Sequence, residues 1–78
     1  MSEIDWRKHL HTHPDIVAGK PVVRGTRLSV HFLLSLLAAG WSIEDLLRSY
    51  PTLSREGLQA VFTFATDIVR ERPIVVNS

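Results

Sequence analysis

Three histidines alternate in "HLHTH", His9, His11 and His13, and imidazoles at that spacing invite a metal site. On a straight strand they share one face, with neighbours about 6.6 Å apart and the outer pair about 13 Å apart. One ion needs every ligating nitrogen within about 2.0–2.1 Å, which such a strand cannot provide. Two of them could chelate, but no fourth ligand follows, and His31 falls in a helical stretch. No native metal and no cofactor are expected; a small metal-binding protein is a third reading that rests on the histidine run alone.

The stretch "GKPVVRGTR", Gly19 to Arg27, raises a second chemistry, the cradling of a phosphate. A phosphate loop turns consecutive backbone N–H groups inward and leads straight into a helix. Here Pro21 removes one donor, and β-branched Val22 and Val23 resist the left-handed backbone such a cradle requires. The stretch therefore reads as a turn and a strand carrying Lys20, Arg24 and Arg27. These cations could touch nucleic-acid phosphates, which positions a protein without reading sequence. Equally, Arg27 could pair with Asp15 or Glu44 and fasten the β element to the helices.

The third chemistry lies near the end of the chain. Arg55, Gln59, Thr63, Thr66 and Arg70 recur at helical spacing with no acid among them. Arginine pairs with guanine and glutamine with adenine through two hydrogen bonds each, and recognition helices read bases from their first turns. Arg55 and Gln59 are the base-reading candidates. Ser54 suits a cap or a phosphate contact, Thr63 continues the stripe, and Arg48 complements the C-terminal dipole of the preceding helix. No nucleophile, base and orienting group come together, and Glu44, Asp45 and Glu56 sit at helix starts, where acids complement the dipole. Catalysis is not expected.

These residues must be positioned by a single small domain of 78 residues, with 45% apolar residues and no cysteine. A core of that size supplies only about 3–5 kcal/mol of net stability, so association is the expected further source. The formal charge is +1, yet no acid occurs between Asp15 and Glu44, so the basic residues there form a local face. A sequence pI near 8.3 is below the value of about 9 typical of strongly basic nucleic-acid binders. No stretch is long and apolar enough to cross a bilayer, and "MSEIDWRKHL" lacks a signal peptide's apolar core; a cytoplasmic protein is expected.

Residues 9–28 read as short strands, with a turn at Ala18–Pro21 and a bulge or kink at Gly25. Helices are expected over 30–39, 43–49 and 55–72. Ser29, Ser42 and Ser54 are the N-caps, Gly40 ends the first helix and Pro51 the second. In the last helix Leu58, Val61, Phe62, Ala65, Ile68 and Val69 form the apolar stripe assigned to the core. Gly57, Ala60 and Phe64 make another face, suited to a close neighbour inside the domain or across a two-fold axis. Trp6, Trp41 and the tail 73–78, with Ile74, Val75 and Val76, are surplus apolar groups and hence candidates for a partner surface.

The run from Pro14 to Ala65, with "GKPVVRGTR", a helix ending in glycine, "SIEDLL" and "YPTLS", resembles a family of short bacterial proteins catalogued as domain of unknown function 433. Ser29 stands where that family usually carries proline. The elements already read give a mainly α fold, a small N-terminal β element followed by a three-helix helix-turn-helix unit, and the resemblance implies that this unit is homeodomain-like. It also implies kinship with VapB-like antitoxins, which are often encoded beside a PIN-like nuclease toxin. The expected function is an antitoxin that binds its own operator in double-stranded DNA as a homodimer and neutralises the toxin through the β element or the tail. An arginine such as Arg7 or Arg24 set among the toxin's carboxylates would compete with its metal. The alternative is an interaction or oligomerisation module of the same shape without DNA contact.

Overall fold

A computed structural model of the chain describes residues 4–15 and 19–71. Trp6–Lys8 form a single 3₁₀ turn, which Asp5 caps by accepting from the Arg7 amide. Two short antiparallel strands follow, β1 (Leu10–His11) and β2 (Val22–Val23), in register Leu10 with Val23 and His11 with Val22. Among the described residues three helices follow: α1 (Val30–Ala38), α2 (Ile43–Ser49) and α3 (Arg55–Glu71). The tail from 73 on, including Ile74, Val75 and Val76, lies outside the described residues, as does part of the turn expected at Ala18–Pro21.

The β element is smaller than the sequence suggested, and Gly25 is neither a bulge nor a kink within a strand. It has φ +79° in a tight turn that follows β2 directly. The turn closes through Val23 N–H to the Leu28 carbonyl (3.0 Å) and Thr26 N–H to the Val23 carbonyl (3.1 Å). Thr26 braces it from both sides: its hydroxyl donates to the Val23 carbonyl and accepts from the Leu28 amide. Arg24 N–H reaches back to the His9 carbonyl, and Val30 N–H to that of Pro21. The glycine and threonine of "RGT" are thus consumed in a structural corner.

The helix limits follow local chemistry. Ser29 accepts from the Phe32 amide at the start of α1. Gly40, at φ +103°, carries the left-handed backbone that releases the chain after it. Ser42 and Asp45 form a reciprocal capping box on α2, each side chain accepting from the other's amide at 3.0 Å. The Ser42 backbone N–H, foremost, then its hydroxyl, hold the Asp45 carboxyl below its ordinary pKa, with Arg48 adding to this and desolvation opposing it. The depressed value means that the folded chain protonates Asp45 less readily than the unfolded one. The resulting stabilisation is present above the ordinary aspartate range and is lost as pH falls through it. Backbone signals of α2 should therefore hold from neutrality to about pH 4 and weaken below; Asp45→Asn should flatten that acid limb, as followed by amide NMR.

The core gathers Leu33, Leu46, Leu58, Ala60 and Val61, all essentially inaccessible to solvent, with Leu10 and Val23 from the strands. One expectation is corrected here. The buried face of α3 is Gly57, Leu58, Ala60 and Val61, whereas Phe62, Ile68 and Val69 are 39%, 38% and 58% exposed. The helix is turned so that its small residues meet the strands. A Cβ at Gly57 would lie 2.9 Å from Val23 Cγ1 and 3.3 Å from Ser54 Oγ. Gly57→Ala should destabilise the chain by about 1–3 kcal/mol despite alanine's better helix propensity, because Val23 is buried and stiff. Urea denaturation reads this directly.

Trp6 fixes the N-terminal segment to α3. Its Nε1 donates to Asp67 at 2.7 Å, and its ring meets Phe64 edge to face at 4.8 Å. Trp41 stacks on Tyr50 at 6.5 Å and stays 37% exposed.

Candidate functional site

Helix α3, which carries both base-reading candidates, meets α2 through a five-residue connection, Tyr50 to Ser54. Pro51 ends α2, the Leu53 amide closes the turn on the Tyr50 carbonyl at 2.9 Å, and the Leu53 side chain is buried beneath it. Ser54 accepts from the Gly57 amide at 2.9 Å, which caps α3 and leaves its hydroxyl proton available to an outside acceptor. The Gly57 amide is taken by the Ser54 hydroxyl and the Leu58 amide by the Ser54 carbonyl, which leaves the amides of exposed Arg55 and Glu56 at the helix start.

Arg55 and Gln59 stand exposed on that first turn and the next, one above the other. They line a shallow cleft of about 280 Å³ with Ile43, Leu58 and Phe62. Arg55 faces Glu44 at 4.0 Å, with both side chains over two-thirds exposed, a pairing worth about 0–1 kcal/mol and readily exchanged for a stronger partner. Further along, Thr63 donates to the Ala60 carbonyl and Thr66 to that of Phe62, while Arg70 faces Asp67 at 3.7 Å. The polar stripe thus has its least committed groups at its N-terminal end.

The remaining cations are more scattered. Arg48 is held by Asp45 at 2.6 Å, and Lys20, Arg24 and Arg27 are exposed around the β element. Arg27 pairs with neither acid considered for it: Glu44 faces Arg55, and Asp15 lies beside His13. Of the residues offered to a partner, Gly57 and Ala60 are buried within the protomer, and Phe64 and Trp6 are largely engaged with one another. The surface apolar groups on α3 are instead Phe62, Ile68 and Val69, which hydrophobic periodicity had placed in the core.

The histidines do not form the expected row. His9 caps the 3₁₀ turn and only His11 lies in β1. Among the described residues no group of three or more His, Cys, Asp or Glu side chains is arranged to hold a metal ion. Nor is any described helix long and apolar enough to cross a membrane.

A two-stranded antiparallel element followed by three helices, the last two joined as a helix-turn-helix, defines the class of fold. The family model described as "Protein of unknown function (DUF433)" matches residues 11–65, and the chain belongs to that family. It is similar to the uncharacterized protein y4eO of Sinorhizobium fredii (strain NBRC 101917 / NGR234), 39% identical over 59 residues. That alignment covers 76% of this chain and 27% of the relative, so the chain spans about a quarter of that protein's length. It is also similar to a crystal structure of a DUF433 member protein from Anabaena variabilis ATCC 29413, with a TM-score of 0.74 at 25% identity. The match covers 81% of this chain and 62% of the other.

Proposed function

We propose that the chain is an antitoxin-like DNA-binding protein that acts as a dimer at its own promoter and neutralises a PIN-like nuclease partner. The observation that carries the DNA half is the exposed pair Arg55 and Gln59 on the first two turns of α3. Laid in a major groove, Arg55 exchanges Glu44 for the two acceptors of a guanine, and Gln59 takes the paired donor and acceptor of an adenine. Phe62 and Ile43, on the walls of the same cleft, offer apolar contact to a thymine methyl. Ser54 and the free N–H groups of the helix start address a phosphate, and Arg48, Lys20, Arg24 and Arg27 supply further contacts that position the domain. Phe62, Ile68 and Val69 support association with a second copy, which would also stabilise so small a core. Arg7 and Arg24, both near the N-terminal strands, are the cations proposed for the nuclease carboxylates.

Retardation of a duplex from the promoter region tests this reading. Three to four phosphate contacts per protomer predict that log K falls against log salt with a slope of about −3 per protomer. A flat salt response, or equal affinity for any duplex, contradicts it.

A second reading has one observation in its favour. Phe62 and Ile43 are over a third exposed beside Arg55 and Gln59, so this face is more apolar than a groove-reading surface requires. In that reading α2 and α3 form a protein-association surface, and no retardation occurs even at low salt.

A further inference from the structure

We propose that a second copy of the chain seats on the outer face of α1. The two-fold axis passes between His31 and Ser35, and Phe32 of each copy enters the groove between α1 and α3 of the other. The proposal deepens the dimer of the function above and rests on it; the base contacts of Arg55 and Gln59 are independent.

From Leu28 to Ile43 the sequence carries no Lys, Arg, Asp or Glu, and α1 lies wholly within that stretch. A helix apolar on all sides is ordinarily covered on all sides. Within the protomer, however, only Val30 and Leu33 of α1 are buried. Leu34, Leu36 and Leu37 are half-buried, and Phe32 is 40% exposed. His31, Ser35, Ala38 and Ala39 are exposed and recur three and four positions apart, so they form a strip along the outer side. The last three are small, which lets another helix come close. The Ser35 hydroxyl is already turned to the His31 carbonyl at 2.7 Å, so it asks for no outside partner.

The flanks of this strip complement one another. Two positions apart, Phe32 and Leu34 leave the helix on opposite sides of it. On the first flank the Phe32 ring stands out, braced edge-on by Tyr50 at 5.9 Å. On the second lies a groove of about 380 Å³ whose walls include Val30, Leu34, Phe64 and Ile68, with Lys20 the one Lys or Arg among them. A two-fold axis matches a projection on one side to a recess on the other, because each copy presents the same patch. The midpoint of Phe32 and Leu34 along the helix is also that of His31 and Ser35. An axis there sets α1 antiparallel to its copy and carries each Phe32 ring to the level of the other copy's Leu34. The lack of charge favours the same occupant: a two-fold contact sets a charged strip against itself, and this strip escapes that repulsion. Ile68, already counted toward association, lies in the groove. About two and a half turns separate Phe64 from Arg55 and Ile68 from Gln59, so the base-reading residues project from the opposite side of α3 and stay open.

Sedimentation of the intact chain over a concentration series tests this. The expected result is a dimer that dissociates on dilution. Ser35→Arg, which sets a charge beside the axis at an exposed position, should weaken it at least tenfold. Thr66→Arg, equally exposed on the outer side of α3, should leave it within twofold. Phe32→Glu and Ile68→Lys should each be monomeric alone, whereas an equimolar mixture should dimerise, because the mixed pair keeps one native contact and joins the new charges in the other. Circular dichroism checks that all four variants fold. A dimer that withstands Ser35→Arg, one lost with Thr66→Arg instead, or a mixture that stays monomeric overturns this interface while leaving a dimer in place. A chain that is monomeric at every concentration overturns the interface and the dimer together, in favour of a different protein on this face. Retardation of the promoter duplex is measured separately on Ser35→Arg, so loss of DNA binding is told apart from loss of the interface.

Discussion

Replacing both Arg55 and Gln59 by alanine should abolish sequence preference while leaving the chain folded. Each bidentate contact to a base edge discriminates by about 1–3 kcal/mol. The double variant should therefore lose at least about 2 kcal/mol of the difference between promoter and arbitrary duplex, roughly thirtyfold. Its residual affinity should become nearly sequence-independent, and the salt slope should fall by only about one unit, for the one cation removed. Both side chains are exposed and bound to nothing stronger than the distant Glu44 carboxylate, so stability should change by no more than about 0.5 kcal/mol. Quantitative retardation with the two duplexes, beside urea denaturation, separates recognition from folding.

Leu46→Ala should unfold most of the population. Leu46 is wholly inaccessible and is the one fully buried residue of α2, a seven-residue helix too short to persist alone. Truncating a buried leucine costs about 2–5 kcal/mol, while a core of this size leaves about 3–5 kcal/mol in all. Leu47, its half-buried neighbour, provides the control. Leu47→Ala deletes less buried surface and should leave a cooperative transition, displaced by about 1 kcal/mol. Circular dichroism in urea reads both. Similar losses for the two variants would mean that Leu46 does not dock α2 as its burial indicates.

What the sequence made legible was the local chemistry. Ser29, Gly40, the Ser42–Asp45 pair, Pro51 and Ser54 act within one helical turn of themselves, and the helix limits they announce differ from the observed ones by a residue at most. The rotation of α3 was not legible, because the helix carries apolar residues on more than one face and periodicity cannot say which face meets the strands. Gly57 decides it, through a contact with Val23 from a distant part of the chain. The anchoring of Trp6 was hidden for the same reason: its hydrogen bond to Asp67 spans 61 positions. Of the histidine run, read as part of short strands, His11 lies in β1 and His13 at a β-bridge. The exposure of Arg55 and Gln59 was legible because it is a local property of a polar helix stripe.

The most direct measurement is an NMR titration of the isotopically labelled chain with its promoter duplex at low salt. The side-chain N–H signals of Arg55 and Gln59 should shift most, with the backbone amides of the first turn of α3. Unmoved Arg55 and Gln59 signals, at duplex concentrations that saturate the chain, would contradict the assignment of α3 as the reading helix.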